Sequence, residues 1–409
     1  MLLIASVMAA NVLNLLFNIF LGRSVSVAEF GVIILITNIL YVDGTILIAL
    51  SATINHEVAL HNKSDNSIAN IRYIYRGILK YVIPLSILWA IFTPFLSNYF
   101  HTPNLWVLLL FTPMILVYPY LASGRGYFQG RFSFFIASIL LLLEPILKLI
   151  SAAILIFLGL HSIIYTSLYI GSLSTGLIAL YLVLRIKPSA KSIPRRFPRK
   201  FFFNAMLAGA SSMAFLSLDV IMAKHYLNPN LAGEYALLSL VGKMVYFLGT
   251  LLNIFTISLI SRDLENKENT KVSFYLLFGG SLLLCAIGFL GFGVLKDITM
   301  PILFGQKAVM ILPFLNSYII AMILFTLSSI LVSYHLAKKQ FIFSILSIMS
   351  APLLVLGISF FHSSIPEIVN VLLAVSIAMF ICLAAVHIKL DMFGGIQIKK
   401  LETMEEANI

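Results

Sequence analysis

Residues 216–243 read LSLDVIMAKHYLNPNLAGEYALLSLVGK, two apolar helical stretches joined by a short polar corner. The first stretch carries one aspartate, Asp219, and the second opens at Gly233-Glu234-Tyr235. Apolar sequence fills both sides of this segment, so its charges lie in or beside a membrane. A charged side chain at that depth costs about 2.5–3.5 kcal/mol on insertion scales and normally faces a protein interior or a water-filled cavity. The segment therefore predicts a membrane bundle that handles a polar substrate.

The composition of the 409-residue chain also indicates a membrane protein. Hydrophobic residues make up 60% of the chain and charged residues 11%, and the mean hydropathy is +1.02. A soluble domain is nearer half apolar and a quarter charged. The two cysteines, Cys285 and Cys382, lie in apolar runs and support neither a disulfide framework nor a metal site. We predict no metal and no cofactor.

Apolar stretches recur along the chain, each about 20 residues long, which is the length a helix needs to cross about 30 Å of hydrocarbon. They predict an all-α polytopic membrane protein with about twelve transmembrane helices, here called spans one to twelve. Pro301, Gly305 and Pro313 break the approach to span ten. The spans cover approximately residues 2–21, 31–55, 80–97, 105–122, 134–158, 163–184, 203–223, 233–260, 273–294, 308–333, 341–360 and 367–388.

Lysine and arginine are distributed asymmetrically over the predicted loops. Most of the 27 lie in the tail and in the loops after even-numbered spans, and Arg125 and Arg131 are assigned to the loop after span four. The opposite loops hold Arg23, Lys224, Lys296 and Lys307. Because cytoplasmic loops of membrane proteins carry an excess of lysine and arginine, we predict that both termini and the even-numbered loops are cytoplasmic. Span one has no basic region before it and no cleavage site after it, so it is interpreted as a retained helix.

A basic segment divides the predicted spans into two sets of six. Residues 185–200 read RIKPSAKSIPRRFPRK, and the prolines deny this segment a continuous helix. Its charges would attract anionic lipid headgroups or form a regulatory or partner site. The predicted organisation is an N-terminal lobe at 1–184, a basic cytoplasmic linker at 185–202, a C-terminal lobe at 203–389 and a cytoplasmic tail at 390–409.

The two predicted lobes resemble each other at corresponding places. Residues 28–32 (AEFGV) open span two, and residues 233–237 (GEYAL) open span eight. A second echo relates residues 130–134 (GRFSF) to residues 338–341 (KKQF), both in the cytoplasmic turn before an odd-numbered span. Since six is an even number, the lobes would share one orientation, as in a parallel repeat about an axis along the membrane normal.

Ionisable residues inside the spans are the candidate functional residues. Glu144 and Lys148 in span five are four residues apart, so they share a helix face and can neutralise each other. The pair is either structural, or Lys148 faces an anionic substrate. If it is structural, removing both charges should be milder than removing either one.

Two acids and a further lysine complete the set. Asp219 in span seven has no basic residue four positions before it and is a candidate for a proton- or cation-linked carboxylate. The alternative is that it pairs with a lysine on another helix. Lys243 in span eight would be that lysine, or a second cation facing the substrate. Asp43 lies near the middle of span two and has the same two interpretations.

The motifs of common enzyme classes are missing from the sequence. It contains no Walker sequence, HExxH motif, paired Cys–His cluster or nucleophile elbow. The predicted outer loops are also short, which leaves no sizeable loop where acids, arginines or histidines could converge. We therefore predict that the protein is not an enzyme.

Several short motifs resemble those of one family, the oligosaccharide flippases, which are Wzx-type polysaccharide biosynthesis proteins of the multidrug/oligosaccharidyl-lipid/polysaccharide (MOP) exporter superfamily. The resemblance covers essentially the whole chain. Residues 255–258 (FTIS) lack the proline that relatives often carry where span eight ends, which puts a kink of that span in doubt. The resemblance rests on Gly22-Arg23, Glu29-Phe30-Gly31, Gly124 to Gly130, Glu144-Pro145, and Leu218-Asp219 running to Ala232-Gly233-Glu234-Tyr235.

The resemblance implies two six-helix lobes around a central cavity, in a MATE-like arrangement within the cytoplasmic membrane. It implies translocation of an undecaprenyl-diphosphate-linked sugar repeat unit to the outer leaflet by alternating access. Arg23, Lys148 and Lys243 would then bind the diphosphate, and Asp219 or Asp43 would couple the motion to an ion. The expected partners are the lipid-linked oligosaccharide, membrane lipids and other polysaccharide-assembly proteins, with no nucleic acid.

Two alternatives stay open. A drug antiporter of the same superfamily would need acids facing its substrate, and the inventory of Asp43, Glu144 and Asp219 against Lys148 and Lys243 allows it. A membrane enzyme of surface-polymer assembly is the second alternative, and a transfer activity of the purified protein would support it.

Overall fold

A computed structural model describes residues 2–60, 66–185, 197, 199–338, 340 and 342–406. Within these ranges the chain forms sixteen α-helices and no strand. An apolar chain in lipid must satisfy its backbone hydrogen bonds internally, which a helix does within one segment. The helices are α1 (Leu2–Ser24), α2 (Val27–Leu60), α3 (Asn66–Tyr99), α4 (Trp106–Leu109), α5 (Phe111–Gly130), α6 (Phe134–Phe157), α7 (Thr166–Arg185), α8 (Arg199–Tyr226), α9 (Pro229–Gly249), α10 (Asn253–Glu265), α11 (Thr270–Phe289), α12 (Lys296–Phe304), α13 (Leu312–Ala337), α14 (Ile342–Ile348), α15 (Ser350–Phe360) and α16 (Ile365–Glu406).

Eleven helical segments of the described chain are long and apolar enough to cross a membrane. They confirm the predicted all-α polytopic class and correspond to all predicted spans except the seventh. That span lies in α8, which is helical but is not among the eleven.

The helices break at two places on which the sequence bears, before span ten and within span eight. Before span ten, α12 ends at Phe304, Gly305 adopts a φ of +75°, and a 3₁₀ turn covers Gln306–Ile311 before α13 begins. This agrees with the predicted breaks, because a positive φ favours glycine. Span eight is interrupted by a 3₁₀ turn at Thr250–Leu252 between α9 and α10. Span eight is therefore broken by this turn even though it has no proline at its end.

The chain divides into two compact units. The first unit comprises residues 1–237 with 301–308, and the second comprises residues 238–300 with 309–409. Most of the predicted linker, residues 186–196 and 198, lies outside the described residues. The division into lobes at 184 and 203 therefore stays a prediction.

Glycines set the helix contacts of the first unit. A Cβ at Gly126 of α5 would lie 2.3 Å from the carbonyl oxygen of Ser51 in α2, and a Cβ at Gly130 would lie 2.7 Å from the carbonyl oxygen of Asn55. Small residues let helix backbones approach closely. The glycines after residue 122 therefore continue α5 rather than end it, and the assignment of Arg125 to a loop was wrong.

The starts of α2 and α9, which echo each other in sequence, pack together. A Cβ at Gly31 would lie 2.9 Å from the Cα of Gly233, and a Cβ at Gly233 would lie 2.0 Å from the carbonyl oxygen of Val27. A capping box fixes the start of α2, since the Ser26 amide donates to Glu29 Oε2 at 2.9 Å and the Glu29 amide donates to Ser26 Oγ at 3.3 Å. The residues at the start of α2 therefore have a structural role, in capping this helix and in packing it against α9.

Candidate functional site

Glu144 of α6 is the centre of a polar cluster in the first unit. The residue is only 6% exposed. Its Oε1 accepts a hydrogen bond from Lys148 Nζ at 2.8 Å, and its Oε2 accepts one from Arg125 Nη2 at 2.8 Å. The predicted Glu144–Lys148 pair is confirmed, and Arg125 is a second cation that the sequence analysis had assigned to a loop.

Two hydroxyl groups complete the hydrogen bonding of this carboxylate. Tyr118 of α5 and Ser172 of α7 donate to Glu144 Oε1 at 3.2 and 2.9 Å. Arg125 is held in turn by the carbonyl oxygen of Leu140, which accepts from its Nε at 3.2 Å and its Nη2 at 2.8 Å. Four side chains from three helices thus donate to one carboxylate. We call Tyr118, Arg125, Glu144, Lys148 and Ser172 the Glu144 cluster.

Close packing of α6 and α7 positions the cluster. A Cβ at Gly171 would lie 2.5 Å from Lys148 Cγ and 2.9 Å from the Glu144 carbonyl oxygen, so only glycine fits here without movement. This approach brings Ser172 within hydrogen-bond distance of the carboxylate. Tyr118 and Arg125 lie seven residues apart, or about two helical turns, so both project from the same face of α5.

The Glu144 cluster contains more positive than negative charge. Arg125 and Lys148 carry two positive charges and Glu144 one negative charge. A further acid, Asp43 of α2, is half-buried and interacts electrostatically with Tyr118. In the described part of the chain, Asp43 makes no ion pair with either cation. Asp43 therefore interacts electrostatically with Tyr118, and the hydroxyl group of Tyr118 donates to the same Glu144 carboxylate that accepts from Lys148.

Asp219 lies in the first unit, in α8, and has a hydrogen-bond partner on the next helix. It is 1% exposed, and its Oδ2 accepts a hydrogen bond from the hydroxyl group of Tyr235 at 3.2 Å. Tyr235 lies in the second turn of α9, which begins at Pro229, so a contact between α8 and α9 satisfies the acid. Whether Asp219 also couples transport to an ion stays a prediction.

Neither Lys243 nor Arg23 is among the side chains that hydrogen-bond to Glu144. Lys243 lies in the second unit on α9 and is 4% exposed. It follows Gly242, where a Cβ would lie 2.1 Å from Tyr318 Cδ1, so α9 and α13 pack closely beside it. Arg23 is exposed at the end of α1, and its Nη2 donates to the carbonyl oxygen of Ile302 at 2.6 Å. Their predicted substrate roles stay predictions.

The sequence analysis missed Arg125, Tyr118 and Ser172. A signal for Arg125 was present, because the small residues at 126 and 130 are four apart and favour a packed helix over a loop. Tyr118 and Ser172 had no such signal, since isolated hydroxyl groups are common in apolar helices. In the described residues, no group of three or more His, Cys, Asp or Glu side chains could hold a metal ion.

No protein-family model and no curated protein matches the chain. Solved structures do match it over most of its length. One is "Lipid II flippase MurJ, inward closed conformation", at 17% identity, with 94% of this chain and 86% of that chain covered and a TM-score of 0.72. Another is an inward-facing multidrug resistance MATE family transporter of the MOP superfamily, at 12% identity, 96% of each chain and a TM-score of 0.75.

A third similar structure is a MOP superfamily transporter from Pyrococcus furiosus, at 14% identity, with 98% of this chain and 95% of that chain covered and a TM-score of 0.62. At such identities the likeness establishes the fold alone. The chain has the fold of MOP superfamily flippases and transporters, and the predicted MATE-like fold class is confirmed.

Proposed function

We propose that the protein translocates a polyprenyl-diphosphate-linked oligosaccharide repeat unit across the cytoplasmic membrane by alternating access, for the biosynthesis of an O-antigen, capsule or exopolysaccharide. In this proposal both termini are cytoplasmic. The observation that carries it is the excess positive charge of the Glu144 cluster. One cation is enough to neutralise Glu144, and a second buried cation is costly unless an anion accompanies it. A diphosphate is such an anion, and the sugar headgroup is the part that cannot cross hydrocarbon unaided.

Lys148 is the proposed principal diphosphate ligand, with Lys243 and Arg23 as further cations along the route. A lysine ammonium has three N–H donors, and Glu144 accepts one of them, so donors remain for a phosphate oxygen. Asp43 is the proposed coupling acid beside this site, because a change in its charge acts on Tyr118 and through it on Glu144. Asp219 is the second coupling candidate. Membrane lipids and polysaccharide-assembly proteins are the proposed partners.

A multidrug antiporter is the second candidate function. Asp43 favours it, because this half-buried acid makes neither a hydrogen bond nor an ion pair in the described part of the chain and so suits an organic cation. The solved relatives include a named lipid II flippase and a named multidrug resistance transporter at similar TM-scores. The fold therefore favours neither of these two candidates. It does favour both over a membrane enzyme of surface-polymer assembly.

Transport by purified protein in lipid vesicles tests the proposal. A fluorescent lipid-linked oligosaccharide is placed in the bilayer, and an impermeant quencher measures its passage between leaflets. We expect flipping by the wild type, a loss of at least about tenfold in Lys148→Met, and unchanged flipping in the control Lys80→Met, whose side chain is exposed on α3. Transport of a fluorescent organic cation without lipid flipping would reject the flippase in favour of the antiporter.

A further inference from the structure

A basic depression lies at the end of α1 in the first unit. It has a volume of about 370 Å³ and is lined by Arg23, Phe304, Gly305, Gln306 and Lys307. Arg23 and Lys307 are two of only four cations that the sequence places in outer loops. The fold brings these two residues together although they lie far apart in the sequence.

Local packing holds the two cations in place. Phe304 is buried against α1, where a Cβ at Gly22 would lie 2.8 Å from Phe304 Cδ1. Gly305, with its φ of +75°, caps α12 by donating to the carbonyl oxygen of Pro301 at 2.9 Å. This turn carries Gln306 and Lys307 to the end of α1.

Each cation has one backbone partner and further donors to spare. Arg23 donates to the Ile302 carbonyl at the end of α12, and Lys307 Nζ donates to the Val25 carbonyl. A guanidinium group has five N–H donors and an ammonium group three. Among the described residues, neither side chain forms an ion pair, and no carboxylate lines the depression. The backbone contacts fix the positions of the cations and leave their charge uncompensated.

Two fixed cations beside an amide side chain match the chemistry of a phosphate group. Arginine can donate two parallel hydrogen bonds to phosphate oxygens, and lysine supplies a point charge. The depression is open to solvent at Arg23, so a lipid-borne headgroup could enter and leave it. On the predicted topology it lies at the outer face of the membrane, where few other cations are placed.

We propose that this depression binds the diphosphate of the translocated lipid when its headgroup reaches the outer face. The inference rests on the proposed flippase function for the source of the diphosphate. It assigns Lys307 and Gln306 a role beside Arg23, at a site separate from the Glu144 cluster. An anionic phospholipid has the same phosphate chemistry, and the test below distinguishes the two sources.

The test measures binding of farnesyl diphosphate to the full-length protein in a neutral detergent, by isothermal titration calorimetry. We expect Lys307→Gln and Arg23→Gln each to weaken binding by about 5- to 20-fold, since each removes a charged donor from a partly solvated site. Lys307→Arg should retain binding because it keeps the charge. The matched control is Lys296→Gln, because Lys296 is also a predicted outer lysine that donates to a backbone carbonyl, that of Leu312 at 2.8 Å, but does not line the depression.

Four results would overturn the inference. The first is equal affinity in wild type, Arg23→Gln and Lys307→Gln, provided that the variants elute and melt like the wild type. The second is an equal loss in Lys296→Gln, which would indicate a nonspecific charge effect. The third is competition by phosphatidylglycerol at the same concentration as farnesyl diphosphate, which would assign the site to a phospholipid. Inorganic pyrophosphate should compete, and its failure to do so would also count against a diphosphate site.

Vesicle flipping separates this inference from the proposed function. If the protein flips the oligosaccharide lipid but Arg23→Gln and Lys307→Gln bind diphosphate like the wild type, the proposed binding site in the depression is refuted and the flippase function is retained. A protein that does not flip the lipid but loses diphosphate binding in both variants would reject the proposed function and support the depression as a diphosphate site.

Discussion

Glu144→Gln should strand two cations inside the first unit. The substitution keeps the size of the side chain and one acceptor oxygen, but it removes the only negative charge of the Glu144 cluster. Breaking a buried ion pair by removing one partner typically costs about 3–5 kcal/mol. Arg125 is 19% exposed at its side chain and keeps its bonds to the Leu140 carbonyl, so water and backbone relieve part of its charge. We therefore expect Glu144→Gln to lower the free energy of unfolding by about 3 kcal/mol, near the lower end of that range.

Lys148→Met is the matched variant and should behave differently. Glu144 then keeps Arg125 as its single counter-ion, and the cluster becomes neutral. The loss in free energy of unfolding should be about 1 kcal/mol, from one hydrogen bond. The double change Glu144→Gln with Lys148→Met still strands Arg125, so its stability should fall between the two single variants. The expectation that the double change is milder than either single one therefore no longer holds, because it omitted Arg125.

The measurement is reversible unfolding in mixed micelles by titration with sodium dodecyl sulfate, followed by circular dichroism. We expect stability to decrease in the order wild type, Lys148→Met, double variant, Glu144→Gln. If Glu144→Gln unfolds at the same detergent fraction as the wild type, the cluster does not hold buried charge as described. Equal losses in Lys148→Met and Glu144→Gln would show that Arg125 does not neutralise Glu144.

Three further outcomes are expected. Reporter tags placed within residues 185–200 and after Ile409 should both report cytoplasm, and an external signal from either would contradict the charge-based topology. Gly233→Ala should lose about 1–3 kcal/mol or more of stability because its Cβ would meet a backbone oxygen, whereas Gly44→Ala, which faces open space, should gain up to about 1 kcal/mol; equal effects in both would contradict the described packing. Asp219→Asn should keep substrate binding and lose pH-driven turnover if the acid couples transport, but should lower the amount of folded protein if it only pairs. Normal protein levels with normal pH-responsive flipping would remove Asp219 from the mechanism.

Features that depend on residues close together in the sequence could be predicted from it. Apolar length identified eleven of the crossing helices because hydrocarbon thickness fixes how many residues a span needs. The Glu144–Lys148 pair was predictable because residues four apart share a helix face. The break before α13 was predictable from Pro301, Gly305 and Pro313. The error at Arg125 came from interpreting glycines as loop residues where they serve helix packing.

Only the tertiary structure decided which side chains from distant segments meet. The hydroxyl group of Tyr235 at Asp219, Arg125 and Ser172 at Glu144, and Lys307 beside Arg23 are contacts of this kind. The physical reason is that lipid tails are as apolar as leucine, so a membrane helix needs no polar outer face. Its sequence pattern therefore indicates that it crosses the membrane but not which face packs against a neighbour. Close contacts at small residues such as Gly171 and Gly126 fix those faces, and they exist only once the helices have assembled.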